Sequence, residues 1–248
     1  KTLKMKDTNV LALNAGDVFV GSFEFNKGLG YPELKIMEDL YDAMELGNHE
    51  FDLGTEALVG VLSGQVAGGA PVNRPMLCAN VKFSNITTPP GNLLQNMIQP
   101  SITKKVGDVK VGVFGLVTQE PQNYTDAVNA LFTHPYDPKA PDNLWAYAGK
   151  LAGALKLQEK CDVVICLSHL GTGLDVAALA QVPSIDVIVG GHSHDAYAQA
   201  MVVDRQIDGG KVIIVQAGEF GKYLGELKLT VGAGGGVTLD AYGVARID

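Results

Sequence analysis

Four of the five histidines stand just after short apolar runs: His49 in DAMELGNHEFD, His169 in DVVICLSHLG, and His192 and His194 in IDVIVGGHSH. The fifth, His134, lies in the proline-containing stretch FTHPYDP. Asp17 closes the run NVLALNAGD, while Asn48 and Asp52 flank His49. Imidazole, carboxylate and amide oxygen, with no thiolate at these positions, form a donor set suited to a borderline divalent cation such as zinc, manganese or iron. A hydrolytic site built on two ions needs one carboxylate to bridge them at about 3.5–4 Å, with neutral donors completing each. Asp17 is the natural bridge.

Such residues act together only if the chain delivers them to one place. The apolar runs are rich in β-branched residues and break off into polar or glycine-containing segments, the pattern of buried strands that present functional loops at their carboxyl ends. Between them, PELKIMEDLYDAM and LWAYAGKLAGALKLQEK carry helical spacing, so strand and helix alternate and a layered α/β fold is expected. In parallel neighbouring strands, Asp17, Asn48, His49, Asp52, His169, His192 and His194 meet at one sheet edge. The segments around residues 91–101 and 123–142 read as loops, and GELKLTVGAGGGVTLDAYGVARI reads as an antiparallel hairpin with a glycine-rich turn.

The composition narrows the partners. With 248 residues, 46% hydrophobic and 19% charged, the chain can bury a substantial core. Its net charge of -8, from 19 Lys and Arg against 27 Asp and Glu, with no basic stripe, makes a nucleic-acid polymer a poor partner. No apolar run approaches the roughly 20 residues that span a bilayer, and the first residues lack a signal peptide's apolar region. Cys78, Cys161 and Cys166 have no zinc-type pairing and read as buried thiols. Sequons at Asn85 and Asn123 are no more than chance provides.

Four blocks carry a resemblance: Asn14-Ala15-Gly16-Asp17, Gly47-Asn48-His49-Glu50-Phe51-Asp52, Ser168-His169-Leu170-Gly171 and Gly190-Gly191-His192-Ser193-His194. Their order and separation resemble the catalytic domain of the 5'-nucleotidase family of calcineurin-like metallophosphoesterases, from about residue 9 to about residue 230. The resemblance implies a layered β-sandwich flanked by helices and two divalent metal ions. Asp17 would bridge them, Asn48, His169 and His192 would complete one, and His194 would serve the other. It implies His49 as stabiliser and proton donor at the transferring phosphoryl group, held by Asp52, with a metal-activated water as the nucleophile. It further implies a small nucleotide substrate, most often a nucleoside 5'-monophosphate, and a periplasmic, secreted or cell-surface location.

Against the family pattern, the residues before Asp17 contain no Asp-x-His block, and Asp7 lies on the wrong side of the strand. The expectation is a single catalytic domain over residues 1–248, truncated at its N-terminus, its first strand missing, and without the C-terminal substrate domain of two-domain relatives. Enzymes acting on 2',3'-cyclic nucleotides, nucleotide sugars or thiosulfate esters share the same blocks, and a metal- or nucleotide-binding pseudoenzyme is the rival from another class. Glu50 and Asp175 read as structural: Glu50 as a helix N-terminal acid, Asp175 as a cap for LDVAALAQV. Gly190 and Gly191 are expected to let the backbone turn near the metals.

Overall fold

The computed structural model describes residues 9–19, 27–85, 89–120, 124–129, 131–134 and 139–247. Four short parallel strands, β1 (Leu13–Asn14), β2 (Ala43–Glu45), β3 (Met76–Leu77) and β4 (Ile98–Gln99), form one sheet in sequence order. A second sheet follows the order β5 (Ser101–Val106), β6 (Val109–Val117), β7 (Val163–His169), β8 (Val187–Gly190), β10 (Lys211–Val215) and β9 (Met201–Asp204). Its four central strands are parallel, and antiparallel β5 and β9 close its two edges.

All seven residues of β7 are buried, as are the last seven of β6. That is why both read as unbroken apolar runs rather than alternating ones: helices cover one face and a neighbouring sheet the other. Ala43 and Leu77 of the first sheet share a core with Val113, Val163 and Ile165 of the second. The other face of the second sheet packs Phe114, Leu116 and Cys166 against Leu144, Ala148 and Ala152 of the helix Leu144–Gly153. Asn143 starts that helix by accepting a hydrogen bond from the Ala146 N–H at 2.9 Å, a cap worth about 1 kcal/mol. The first sheet's outer face is covered by the helix Gly54–Leu62 through Leu58, Val61 and Leu62.

The expected hairpin is present as β11 (Tyr223–Val231) and β12 (Val237–Arg246), and its Leu227, Leu229 and Leu239 pack onto the core between the sheets. All three cysteines are free and buried. Two readings need correction. Residues 91–101 are not a loop: the chain forms the helix Pro89–Met97 and then β4. Prolines fit a helix's first turn, where no N–H is required, and Leu94 is wholly buried with Ile98 four residues on. Of the second predicted loop, Asp126–Asn129 is a short helix, and residues 121–123, 130 and 135–138 lie outside the described residues, as do Asp7 and most of the Asn85 sequon.

Asp175 does not cap its helix either. It lies inside the helix Thr172–Ala177, fully buried, where one carboxyl oxygen accepts from the Ser168 hydroxyl at 2.5 Å and the other has no partner. Burial pushes its pKa up to about 7, only partly opposed by Ser168 and the charge of His169. The folded protein therefore keeps a proton that the unfolded chain releases above the usual carboxylate range. Stability from this group is full below about pH 4 and is lost as pH rises through 7, on the order of 4 kcal/mol in the limit. Thermal melts of Asp175→Asn are expected to fall less between pH 5 and pH 8 than those of the wild type. An equal fall in both proteins excludes Asp175 as the source.

Candidate metal centre

Register brings the candidate ligands together. β6 and β7 pair Val117 with His169, and β7 and β8 pair Ser168 with Gly190, so His169 and the turn carrying His192 leave the sheet at the same level. β1 pairs Asn14 with Met44 of β2, which sets Gly16-Asp17 beside Gly47-Asn48-His49. The Gly191 N–H donates to the Ser168 carbonyl at 2.8 Å, and a side chain at Gly191 would press on the Ala15 carbonyl at 2.7 Å. Only glycine lets these two sheet edges approach so closely.

Asp17, His169 and His192 each offer a ligand atom within 4.8 Å of the others. Asp17 Oδ2 lies 2.9 Å from His169 Nε2. Asn48 Oδ1 lies 3.1 Å from His169 Nε2 and 3.0 Å from His192 Nδ1. His169 Nδ1 is 2.5 Å from the Ala15 carbonyl, an acceptor, so this nitrogen carries a proton and a neutral ring turns its Nε2 lone pair toward Asp17 and Asn48. His192 Nε2 faces Glu120 Oε1 at 2.9 Å, which leaves the Nδ1 lone pair for Asn48. With His169 neutral, these lone pairs would converge on one point, where an ion would replace the proton that His169 Nε2 shares with Asp17 Oδ2. Donors about 2.1 Å from an ion in octahedral array stand about 3.0 Å apart, so the observed spacing fits a single divalent cation.

Without an ion, a proton supplies the positive charge at that point. Burial alone would lower the pKa of His169, but its hydrogen bond to Asp17 and that residue's charge outweigh burial and raise it. Burial likewise pushes Asp17 up, yet the His169 hydrogen bond and charge, helped by the His49 N–H, bring it below the usual carboxylate range. His192 is lowered by burial and by the charge of His169. Each group favours the form that keeps cationic charge inside the cluster and a free lone pair on His192.

His49 stands at the rim of the cluster. Its N–H donates to Asp17 Oδ1 at 3.0 Å and its ring Nδ1 lies 2.6 Å from Asp52 Oδ2, the pairing that the resemblance implied. Burial lowers the His49 pKa, but the Asp52 hydrogen bond and the charge of Asp17 more than compensate and raise it. With Nδ1 committed to Asp52, Nε2 is the nitrogen left to face a ligand. His194 is not drawn into the cluster: it is half-exposed, with Nδ1 paired to Glu219 Oε2 at 3.0 Å. His134 is structural, its ring stacked on Tyr147 and its Nδ1 on the Asp142 carbonyl.

Sequence reasoning missed two neighbours. Glu120 orients His192, and its position straight after the β6 run was the available signal. Glu50 is not a helix-dipole acid; it is buried beneath Asp17 and binds backbone N–H groups of that loop.

Comparison with known proteins finds relatives over nearly the whole chain. The chain is 33% identical to the trifunctional nucleotide phosphoesterase YfkN of Bacillus subtilis over 97% of its own length and 16% of that protein. Its identity to the 5'-nucleotidase of Bos taurus is 32%, over 92% of this chain and 39% of the relative. The crystal structure of a 5'-nucleotidase precursor from Thermus thermophilus superposes with a TM-score of 0.76 at 34% identity, over 94% of this chain and 44% of the other. The chain spans less than half the length of each of these relatives. A model of the calcineurin-like phosphoesterase family matches residues 1–196, four blocks and metal cluster included, and the chain belongs to that family.

Proposed function

We propose that the protein is a metal-dependent hydrolase of phosphate monoesters, with nucleoside 5'-monophosphates as its substrate class, and that residues 1–248 form one catalytic domain. The observation that carries this reading is the convergence of Asp17, Asn48, His169 and His192 on one point, with the Asp52-held His49 at its rim. These four residues would hold one divalent ion, and Asp17 with His194 would contribute to a second. Such ions supply Lewis-acid charge to a phosphoryl oxygen and acidify a water. The names of the bovine and Thermus relatives support the substrate class, and family resemblance supports a location outside the cytoplasm. Among the described residues, no helix is long and apolar enough to cross a membrane.

The chain's own residues do the rest. Asp52 accepts from His49 Nδ1 and so fixes the ring with Nε2 outward. From there His49 donates a hydrogen bond to the transferring phosphoryl group and passes its proton to the departing oxygen of the ester. The raised His49 pKa keeps that proton available near neutral pH. His169 and His192 are oriented by the Ala15 carbonyl and Glu120, which keeps the ligand nitrogens aimed at Asn48.

His49→Ala is expected to lower kcat by about 10²–10⁴-fold while bound metal stays at the wild-type level. Unchanged turnover removes His49 from the reaction. Asp17→Asn and His169→Ala are expected to lose at least one divalent ion per chain by elemental analysis, and retention of full metal content in both discards the ligand assignment. Phosphate release from a nucleoside 5'-monophosphate should exceed turnover of a 2',3'-cyclic nucleotide, a nucleotide sugar and a thiosulfate ester; a reversed order transfers the assignment to that substrate.

A further inference from the structure

We propose that Glu50 is a positioning residue, whose buried carboxylate gathers the backbone N–H groups around Asp17 and so aims the Asp17 carboxylate at His169. This deepens the reading above and rests on Asp17 being a metal ligand. Oε1 accepts from the N–H of Val18 at 2.7 Å and of Phe19 at 2.9 Å. Oε2 accepts from the N–H of Asp17 at 3.0 Å and of Gly47 at 2.5 Å. Three successive N–H groups of one loop and a fourth from the next therefore point at a single carboxylate that is 1% exposed. Four donors occupy the four lone-pair sites and leave no room for a carboxyl proton, so the ionised form is the one the loop is built around.

What the loop would do without this anchor is legible in its backbone. Residues 15–19 belong to no helix or strand, and Asp17 holds a left-handed φ of 59°, which a residue with a side chain keeps only when its surroundings enforce it. Gly47 is packed so close that a side chain there would meet the Asp17 N at 2.5 Å. Glu50 bonds the backbone of both loops at once. Its removal frees Asp17 to relax its backbone, and the carboxylate then swings away from His169. A buried acid with a merely structural role would affect the melting temperature and leave the coordination geometry alone.

Two measurements on the protein test this. In the metal-free wild type, hydrogen exchange at the Asp17, Val18 and Phe19 amides is expected to be at least 100-fold slower than in a free peptide, although no strand or helix protects them. Free-peptide rates there overturn the proposal, and this holds even if a variant fails to fold. Titration with Co(II) then reads the site directly. Glu50→Gln, which sets an amide NH₂ against two of the N–H donors, is expected to weaken Co(II) binding at least 10-fold and to change the visible absorption bands. Wild-type affinity and bands in folded Glu50→Gln overturn the positioning role alone. If Asp17→Asn binds Co(II) as the wild type does, the metal reading of Asp17 falls, and this inference with it.

Discussion

Asp17, Asn48, His169 and His192 face one another at about 3 Å, and such a gathering of acceptors is repulsive unless positive charge, the proton on His169 or a cation in its place, sits within it. A chain free to relax would turn these side chains toward water. The surrounding structure withholds that freedom. Two parallel registers fix where β7 and β8 end, the Ala15 carbonyl and Glu120 fix the imidazole rings, and the His49 N–H fixes the Asp17 carboxylate. The repulsion is spread over a framework folded by apolar burial elsewhere, and the divalent-cation binding proposed above is its counterpart.

Buried acids around this framework show how far context governs a carboxyl group. Glu50 has four N–H partners. Asp175 has a partner on one oxygen only, and its pKa rises to about 7. Glu45, on the same strand-to-turn segment as Glu50, has no hydrogen-bond partner on either oxygen, and burial together with the charge of Glu50 raises its pKa well above the ordinary value. Leaving such groups unpaired costs about 1–3 kcal/mol each. The framework tolerates that cost at Glu45 and Asp175, behind the candidate ligands, and avoids it at Glu50, directly beneath Asp17.

Much of this was legible in the sequence, for identifiable reasons. Strands buried on both faces show as unbroken apolar runs, so the ends of β6, β7 and β8, and with them His169 and His192, could be located from pattern alone. The His49–Asp52 pair was legible because three residues of a tight helical turn bring the side chains together. Contacts across long sequence separation were not. Nothing in GNHEFD reveals that Glu50 reaches back to residues 17–19, since a hydrogen bond to a backbone N–H leaves no trace in the partner's side chain. His194, proposed above as a ligand of the second ion, pairs with Glu219 25 positions on, a contact that its block does not announce. The helix Pro89–Met97 was hidden by its prolines, which mark a helix start as readily as a loop.

Asp17, His192 and His194 all hold left-handed backbone, with φ of 59°, 69° and 60°. For residues with side chains this costs on the order of 1–2 kcal/mol at each position, a cost that glycine would remove. Selection for thermal robustness and selection for chemistry therefore pull these codons in opposite directions. In a protein released from the proposed reaction, glycine at these three positions would add stability while removing the proposed ligands.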